Sequence, residues 1–226
     1  MEKAVLRHPY LMIRHPNGRL AYGGDQTAAK NKTMRRCGCG VVGGADLLIY
    51  LHRWHAGCRT EVFSGADREP IPQEQYGPLV EDLRRRYFPI LYPFGKDGIT
   101  LALGMNRYFR KYGIRLRARW NAGRRTLWTN MERMLEEDIP VILSIGPNFP
   151  LFWQKHRLSL YRRTAEGYRP SNATNSHFLM VTGIEGEWLR VSSWGEEYYI
   201  NRDEYCEYVR KHSCWLFSNI LSVKSI

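Results

Sequence analysis

The run from Gly40 to about Ala56 constrains this chain more than any other segment. Val41, Ala45 and Leu48 fall on one helical face, and Val42, Ala45 and Ile49 fall on its neighbour. A helix apolar on several sides has no face to give to water, so it must lie inside the fold with other elements packed around it. Arg36-Cys37-Gly38-Cys39-Gly40 stands at its head. First-turn N–H groups lack intrahelical partners and sit at the positive end of the dipole, a setting that favours thiolate over thiol. The same pair also reads as two small apolar residues at a tight turn.

The remaining pattern surrounds that helix with an α+β arrangement. Val5 to Arg14 reads as a strand or extended arm, and Gly23-Gly24-Asp25-Gln26 as a tight polar turn. Helices are predicted over Ile71 to Phe88, over Gly98 to Lys111, and over Thr126 to Glu137 with Thr126 as cap. Ile114 to Trp120 alternates apolar and basic residues, as an edge strand does, and Ile139 to Ile145 reads as a buried strand. After a polar loop at Ser171 to Ser176, strands are predicted at His177 to Ile184, Trp188 to Ser193 and Glu196 to Ile200. A helix capped by Asn201 then runs to about His212. Helices first and an antiparallel sheet afterwards make the class α+β. With no repeat or linker, residues 1–226 form one domain.

Composition narrows the classes of function. The net charge is +12, and eight basic residues with no acid lie between Arg107 and Arg125. A charge run of this kind reads first as a solvated helix face followed by an edge strand, so nucleic acid is not the expected partner. No stretch approaches the roughly 18 apolar residues of a membrane span. Met1 to Arg7 lacks the apolar core and cleavage site of a signal peptide. Five cysteines do not suggest a disulfide scaffold, so a cytoplasmic protein with reduced thiols is expected. His52, His55 and Cys58 share a helical spacing and could compose a zinc site with Cys37 or Cys39. No Cys-x-x-Cys pair supports that, and Tyr50 and Trp54 suggest ordinary packing at a helix end. No cofactor or metal is therefore expected.

A cysteine nucleophile needs a base. His177 opens an apolar strand 138 residues beyond Cys39, and the following strand ends in Ser192-Ser193-Trp194-Gly195. With these residues the chain, from Gln26 to Tyr205, resembles the papain-like superfamily of cysteine peptidases. It looks closest to the bacterial branch that includes peptidase domains removing double-glycine leaders from bacteriocins. The resemblance implies Cys39 as nucleophile, His177 as base, Gln26 as oxyanion donor and Ser192 as the residue orienting the imidazole. Ser192 stands where the family has asparagine, and its hydroxyl is shorter and uncharged. Gln26 lies thirteen residues before Cys39, across a basic insert of Lys30, Lys32, Arg35 and Arg36. Cys37 competes for the nucleophile's place, and helix register favours Cys39.

The implied activity is cleavage or transfer at a peptide or other amide bond through an acyl-enzyme. The implied partner is a peptide or protein substrate, and an acidic one would match the basic charge. The alternative is a catalytically silent papain-like module that binds a peptide or an acidic ligand. Trp120, Trp128, Phe149, Phe152 and Trp153 are candidates for a cleft lining, with core or lid as their commoner use. The sequence does not set the oligomeric state.

Overall fold

In the computed structural model, which describes residues 3–90 and 95–226, the apolar helix is enclosed. The chain opens with β1 (Ala4–Val5), β2 (Met12–Arg14) and β3 (Leu20–Tyr22), then a 3-10 turn at Gln26–Ala28. Next come α1 (Lys32–Cys37), α2 (Cys39–Trp54), β4 (Ile71–Pro72), α3 (Gln73–Arg86), α4 (Gly98–Lys111), β5 (Leu116–Trp120), α5 (Leu127–Glu136) and β6 (Val141–Ile145). The last third holds β7 (Leu158–Thr164), β8 (Gly167–Thr174), β9 (His177–Glu185), β10 (Trp188–Ser193), β11 (Glu196–Asn201), α6 (Arg202–His212) and β12 (Ile220–Ser225).

Every residue of α2 from Gly40 to His52 is buried. Its interior glycines each cost about 1 kcal/mol against alanine. Burying Val41, Leu47, Leu48, Ile49 and Leu51 contributes about 1.5–3 kcal/mol each, so packing decides the helix. Those glycines also permit close approach. A Cβ on Gly43 would lie 3.7 Å from Ile142 of β6, and one on Gly44 would lie 3.0 Å from the Phe88 ring. The helix is thus held between the sheet and the segment that follows α3.

The large sheet runs β5-β12-β6-β9-β10-β11-β7-β8, and β1 pairs with the far end of β9. All its pairings are antiparallel. A smaller sheet runs β3-β2-β4. The class is α+β, with the Cys39 helix packed on an antiparallel sheet, as the papain-like resemblance implies. The sheet is less strictly C-terminal than expected, because β1, β5 and β6 join it from earlier in the chain. The basic stripe falls where a solvated surface was expected: β5 is an edge strand with Arg117 and Arg119 exposed and Ala118 buried. Among the described residues no helix is long and apolar enough to cross a membrane.

Several elements differ from expectation. The insert before Cys39 is α1, capped by Asn31, whose Oδ1 accepts from the N–H groups of Thr33 and Met34. Thr126 occupies the cap position of α5 without making a side-chain capping bond. The loop expected at Ser171 to Ser176 is largely β8, an edge strand exposed along Arg169 to Asn172. His52 accepts from the Thr60 N–H and meets Asp67, and His55 reaches the Asp138 carbonyl. The suggested zinc ligands are thereby committed elsewhere, and no group of three or more candidate ligands converges among the described residues.

One buried acid ties these layers together. Asp46, in the middle of α2, accepts from the hydroxyls of Tyr10 (2.9 Å) and Tyr76 (2.6 Å) and from the Gly24 N–H (2.9 Å). The N-terminal arm, α3 and the loop before α1 meet at that one carboxylate. Burial raises its pKa, and the three donors work against that rise. Replacing it leaves three buried donors without an acceptor, each worth about 1–3 kcal/mol. Asp46→Ala is expected to lower the unfolding free energy by about 3 kcal/mol or more in urea titrations. A loss below about 1 kcal/mol would contradict this account of the node.

Candidate active site

Cys39 owes its position to a joint between two helices. Gly38 sits in αR conformation between α1 and α2, and its N–H donates to the Met34 carbonyl at 2.9 Å. A Cβ at Gly38 would come within 2.4 Å of that carbonyl oxygen, so the joint requires glycine. The Val42 N–H returns to the Gly38 carbonyl, which starts α2 afresh with Cys39 as its first residue. Cys37 ends α1 beside Gly95, and it is Cys39 that lines the cavity against the sheet.

His177 begins β9, paired with Ile145 of β6. Its Nε2 is 2.8 Å from Ser193 Oγ. The imidazole lies flat under the Trp194 indole, with centroids 4.4 Å apart and planes 16° apart. Trp194 and Gly195 form the two-residue turn between β10 and β11, with φ of 50° and 72°. Two positive φ values suit the twist of a tight hairpin. Glycine takes such a value freely, whereas tryptophan in the left-handed region costs about 1 kcal/mol or more. That strained residue is the one covering the imidazole.

The expectation that Ser192 orients the ring is corrected. Successive side chains of a strand point to opposite faces. On β10, Ser193 faces His177, while the Ser192 hydroxyl donates to the Tyr22 carbonyl at 2.6 Å. Ser192 therefore holds β3 against the sheet. The expectation named the wrong one of two adjacent serines, and strand parity gives the imidazole contact to Ser193.

Gln26 opens the 3-10 turn that Asp25 caps through its Oδ1 on the Thr27 N–H. Its Nε2 donates one hydrogen to the Arg35 carbonyl near the end of α1, at 3.0 Å. The thirteen-residue spacing is spanned because α1 folds back to hold this amide. An amide carries two N–H groups, so one remains beyond that bond. Gln26, Cys39, Asp46, His177, Ser192, Ser193 and Trp194 all line one partly open cavity of about 20 Å³. That is room for about one water molecule. The aromatic candidates lie elsewhere: Trp120 meets Phe178 edge-on, Trp128 carries the Arg202 guanidinium, and Phe149, Phe152 and Trp153 are exposed. None of the five lines the cavity.

Burial sets the charge state of the pair. It lowers the His177 imidazole from 6.5 to about 4. It raises the Cys39 thiol, against the pull of N–H groups from Phe178, Gly40 and Cys39 itself. Both directions keep the proton on sulfur, so the resting pair is a neutral thiol and a neutral imidazole. This differs from the thiolate expected at a helix start, because enclosure outweighs the helix terminus.

No protein-family model matches the chain, and no curated protein matches it. One solved structure is similar: a "putative C39-like peptidase" from Bacillus anthracis, at 11% identity and a TM-score of 0.48, covering 100% of this chain and 99% of that one.

The buried imidazole makes stability depend on pH in a defined direction. At pH 7 His177 is neutral in both states. As pH falls below about 6.5 the unfolded chain takes up a proton that the folded histidine accepts only near 4. Stability is therefore full above the unfolded value and declines as pH falls towards the folded one. The slope is about 1.4 kcal/mol per pH unit, or about 3 kcal/mol in all. Urea titrations between pH 7 and 4 should show this slope in the wild type and its loss in His177→Gln. Equal slopes in the two proteins would contradict it.

Proposed function

We propose that this chain is a thiol-dependent amide hydrolase or acyltransferase of papain-like type, acting on a peptide or protein. The observation that carries the reading is convergence. Gln26, Cys39 and His177, far apart in sequence, line one cavity, and the imidazole is fixed there by Ser193 and roofed by Trp194. Ordinary core packing does not call for an oriented imidazole, a thiol and a side-chain amide around one cavity.

In this reading Cys39 sulfur attacks the substrate carbonyl carbon as its proton passes to His177. The carbonyl π electrons move to oxygen, where the second N–H of Gln26 and the Cys39 N–H receive the charge. Collapse breaks the carbon–nitrogen bond, and the leaving amine takes the proton from His177. Water, or an amine, then adds to the thioester carbonyl as its proton passes to His177; collapse breaks the carbon–sulfur bond, the acyl product leaves, and sulfur takes the proton back from His177. Because the resting pair is neutral, His177 acts as a base during attack and holds no preformed ion pair. Ser193 keeps the ring in register without adding charge.

A second reading has a specific observation behind it. The neutral pair and the uncharged Ser193 also suit a catalytically silent module of the same fold that binds a peptide or acidic ligand. Labelling with electrophilic peptide probes separates the two. The hydrolase reading expects wild type and Cys37→Ala to be labelled and Cys39→Ala not. Labelling that survives Cys39→Ala, or a wild type that no probe labels, removes that reading.

The two serines supply a further check. Ser193→Ala removes the bond that orients the ring and is expected to slow probe labelling about five- to tenfold, roughly one hydrogen bond. Ser192→Ala is expected to lower stability with little change in labelling rate. The reverse pattern, read from labelling kinetics and urea titrations, would return the orienting role to Ser192.

A further inference from the structure

The connection between β6 and β7 carries a run of exposed apolar side chains away from the candidate site. Phe149, Leu151, Phe152 and Trp153 are 42%, 38%, 61% and 74% exposed. They form one patch. The Phe149 ring meets Phe152 and Phe217 edge-on, each at 5.7 Å. Lone exposed apolar residues are normal on a protein surface, whereas a contiguous group marks a contact surface.

The patch is presented on a fixed base. The Phe149 N–H donates to the His212 carbonyl at the end of α6 at 3.0 Å. Asn148 closes the loop, its Nδ2 donating to the His156 carbonyl and its Oδ1 accepting from the His156 N–H, both at 3.0 Å. Gly146 N–H is held by Ser218 Oγ, also at 3.0 Å. The aromatic side chains therefore project from an anchored loop.

Charge around the patch has one dominant sign. No aspartate or glutamate occurs from Ile139 to Ala165. Lys155 and Arg157 follow the aromatic tip directly, and both are exposed. Arg210 and Lys211 flank it on α6, where Glu207 is the neighbouring carboxylate and pairs with Lys211. Arg124 and Arg125 are exposed on the turn tied to the 215–219 segment through Asn219 and the Gly123 carbonyl. Exposed aromatics, with tryptophan foremost, followed directly in the chain by exposed bases match the boundary between lipid headgroups and acyl chains. A second copy of this chain is a poorer occupant, since it brings its own net charge of +12.

We propose that the loop Phe149–Trp153 is an interfacial anchor that docks this protein on an anionic lipid bilayer. Phe152 and Trp153 enter the headgroup boundary, and Lys155, Arg157 and the α6 bases lie against lipid phosphates. The proposal is independent of the thiol chemistry, and Cys39→Ala is expected to bind vesicles as the wild type does.

Co-sedimentation with vesicles tests it. Vesicles of phosphatidylcholine and phosphatidylglycerol at 3:1 are compared with pure phosphatidylcholine, near 0.1 M salt. Wild type should bind the anionic vesicles at least tenfold more tightly, and binding should weaken at 0.5 M salt as surface charge is screened. Phe152→Ser combined with Trp153→Ser should lose at least tenfold in affinity with an unchanged circular dichroism spectrum and melting temperature. Lys155→Gln with Arg157→Gln should weaken binding to anionic vesicles selectively. The proposal is overturned if wild type does not bind, or if the Phe152/Trp153 variant binds as well as wild type. It is equally overturned if sedimentation shows a wild-type dimer that this variant converts to a monomer, which would make the patch a self-contact.

Discussion

Enclosure of the helix that starts at Cys39 is the constraint on which the rest of this structure depends. It forces sheet on one side and helices on the other, and it places a carboxylate, Asp46, where only protein donors can satisfy it. A buried acid with its donors removed is costly, so the arm carrying Tyr10, the loop carrying Gly24 and the helix carrying Tyr76 are bound to α2 together. The same loop holds Gln26, whose amide is fastened to Arg35 of α1. The node and the candidate site share a wall: Asp46 lines the cavity that Cys39 and His177 face. Architecture and site geometry thus rest on one hydrogen-bonded cluster.

The same enclosure decides the electrostatics. A helix start favours thiolate by a fraction of a kcal/mol to about 1 kcal/mol when exposed. Desolvating a charged group works in the opposite direction and grows with burial. Here burial raises Cys39 and lowers His177, and the partner fixing the imidazole is a serine hydroxyl. A carboxylate or a wetter cleft would favour imidazolium, and a hydroxyl under an indole does not.

Legibility in the sequence followed periodicity. The helix Gly98–Lys111 was readable to the residue, because Leu101, Met105 and Phe109 repeat every fourth position on a face the core buries. The Asn201 cap was readable because a polar residue stood directly before a helical pattern, and its side chain does accept from Asp203 and Glu204. β8 was not, because Arg169 to Asn172 are exposed and an edge strand without a buried face loses its alternation. α1 hid behind its basic residues, although Asn31 was a capping signal in plain view. At the site, Gln26, Cys39 and His177 were expected together from the papain-like resemblance, and they line one cavity. Ser193 could not be told from Ser192 until strand register assigned each a face, since one residue along a strand is the difference between touching the imidazole and touching β3.

A small cavity and a neutral pair are two consequences of one packing arrangement. Trp194 lies on His177 because its turn is held from outside: the Tyr22 N–H donates to the Gly195 carbonyl at 2.8 Å, and a Cβ on Gly195 would meet Ala21 at 3.0 Å. β3 therefore presses the turn that presses the indole onto the imidazole, and Ser192 fastens β3 from the sheet side. Loosening that edge would admit water to the imidazole and raise its pKa towards the ordinary histidine range. It would also widen the space above Cys39. Exposure of the cavity and the basicity of His177 are therefore governed by the same contacts between β3 and the hairpin.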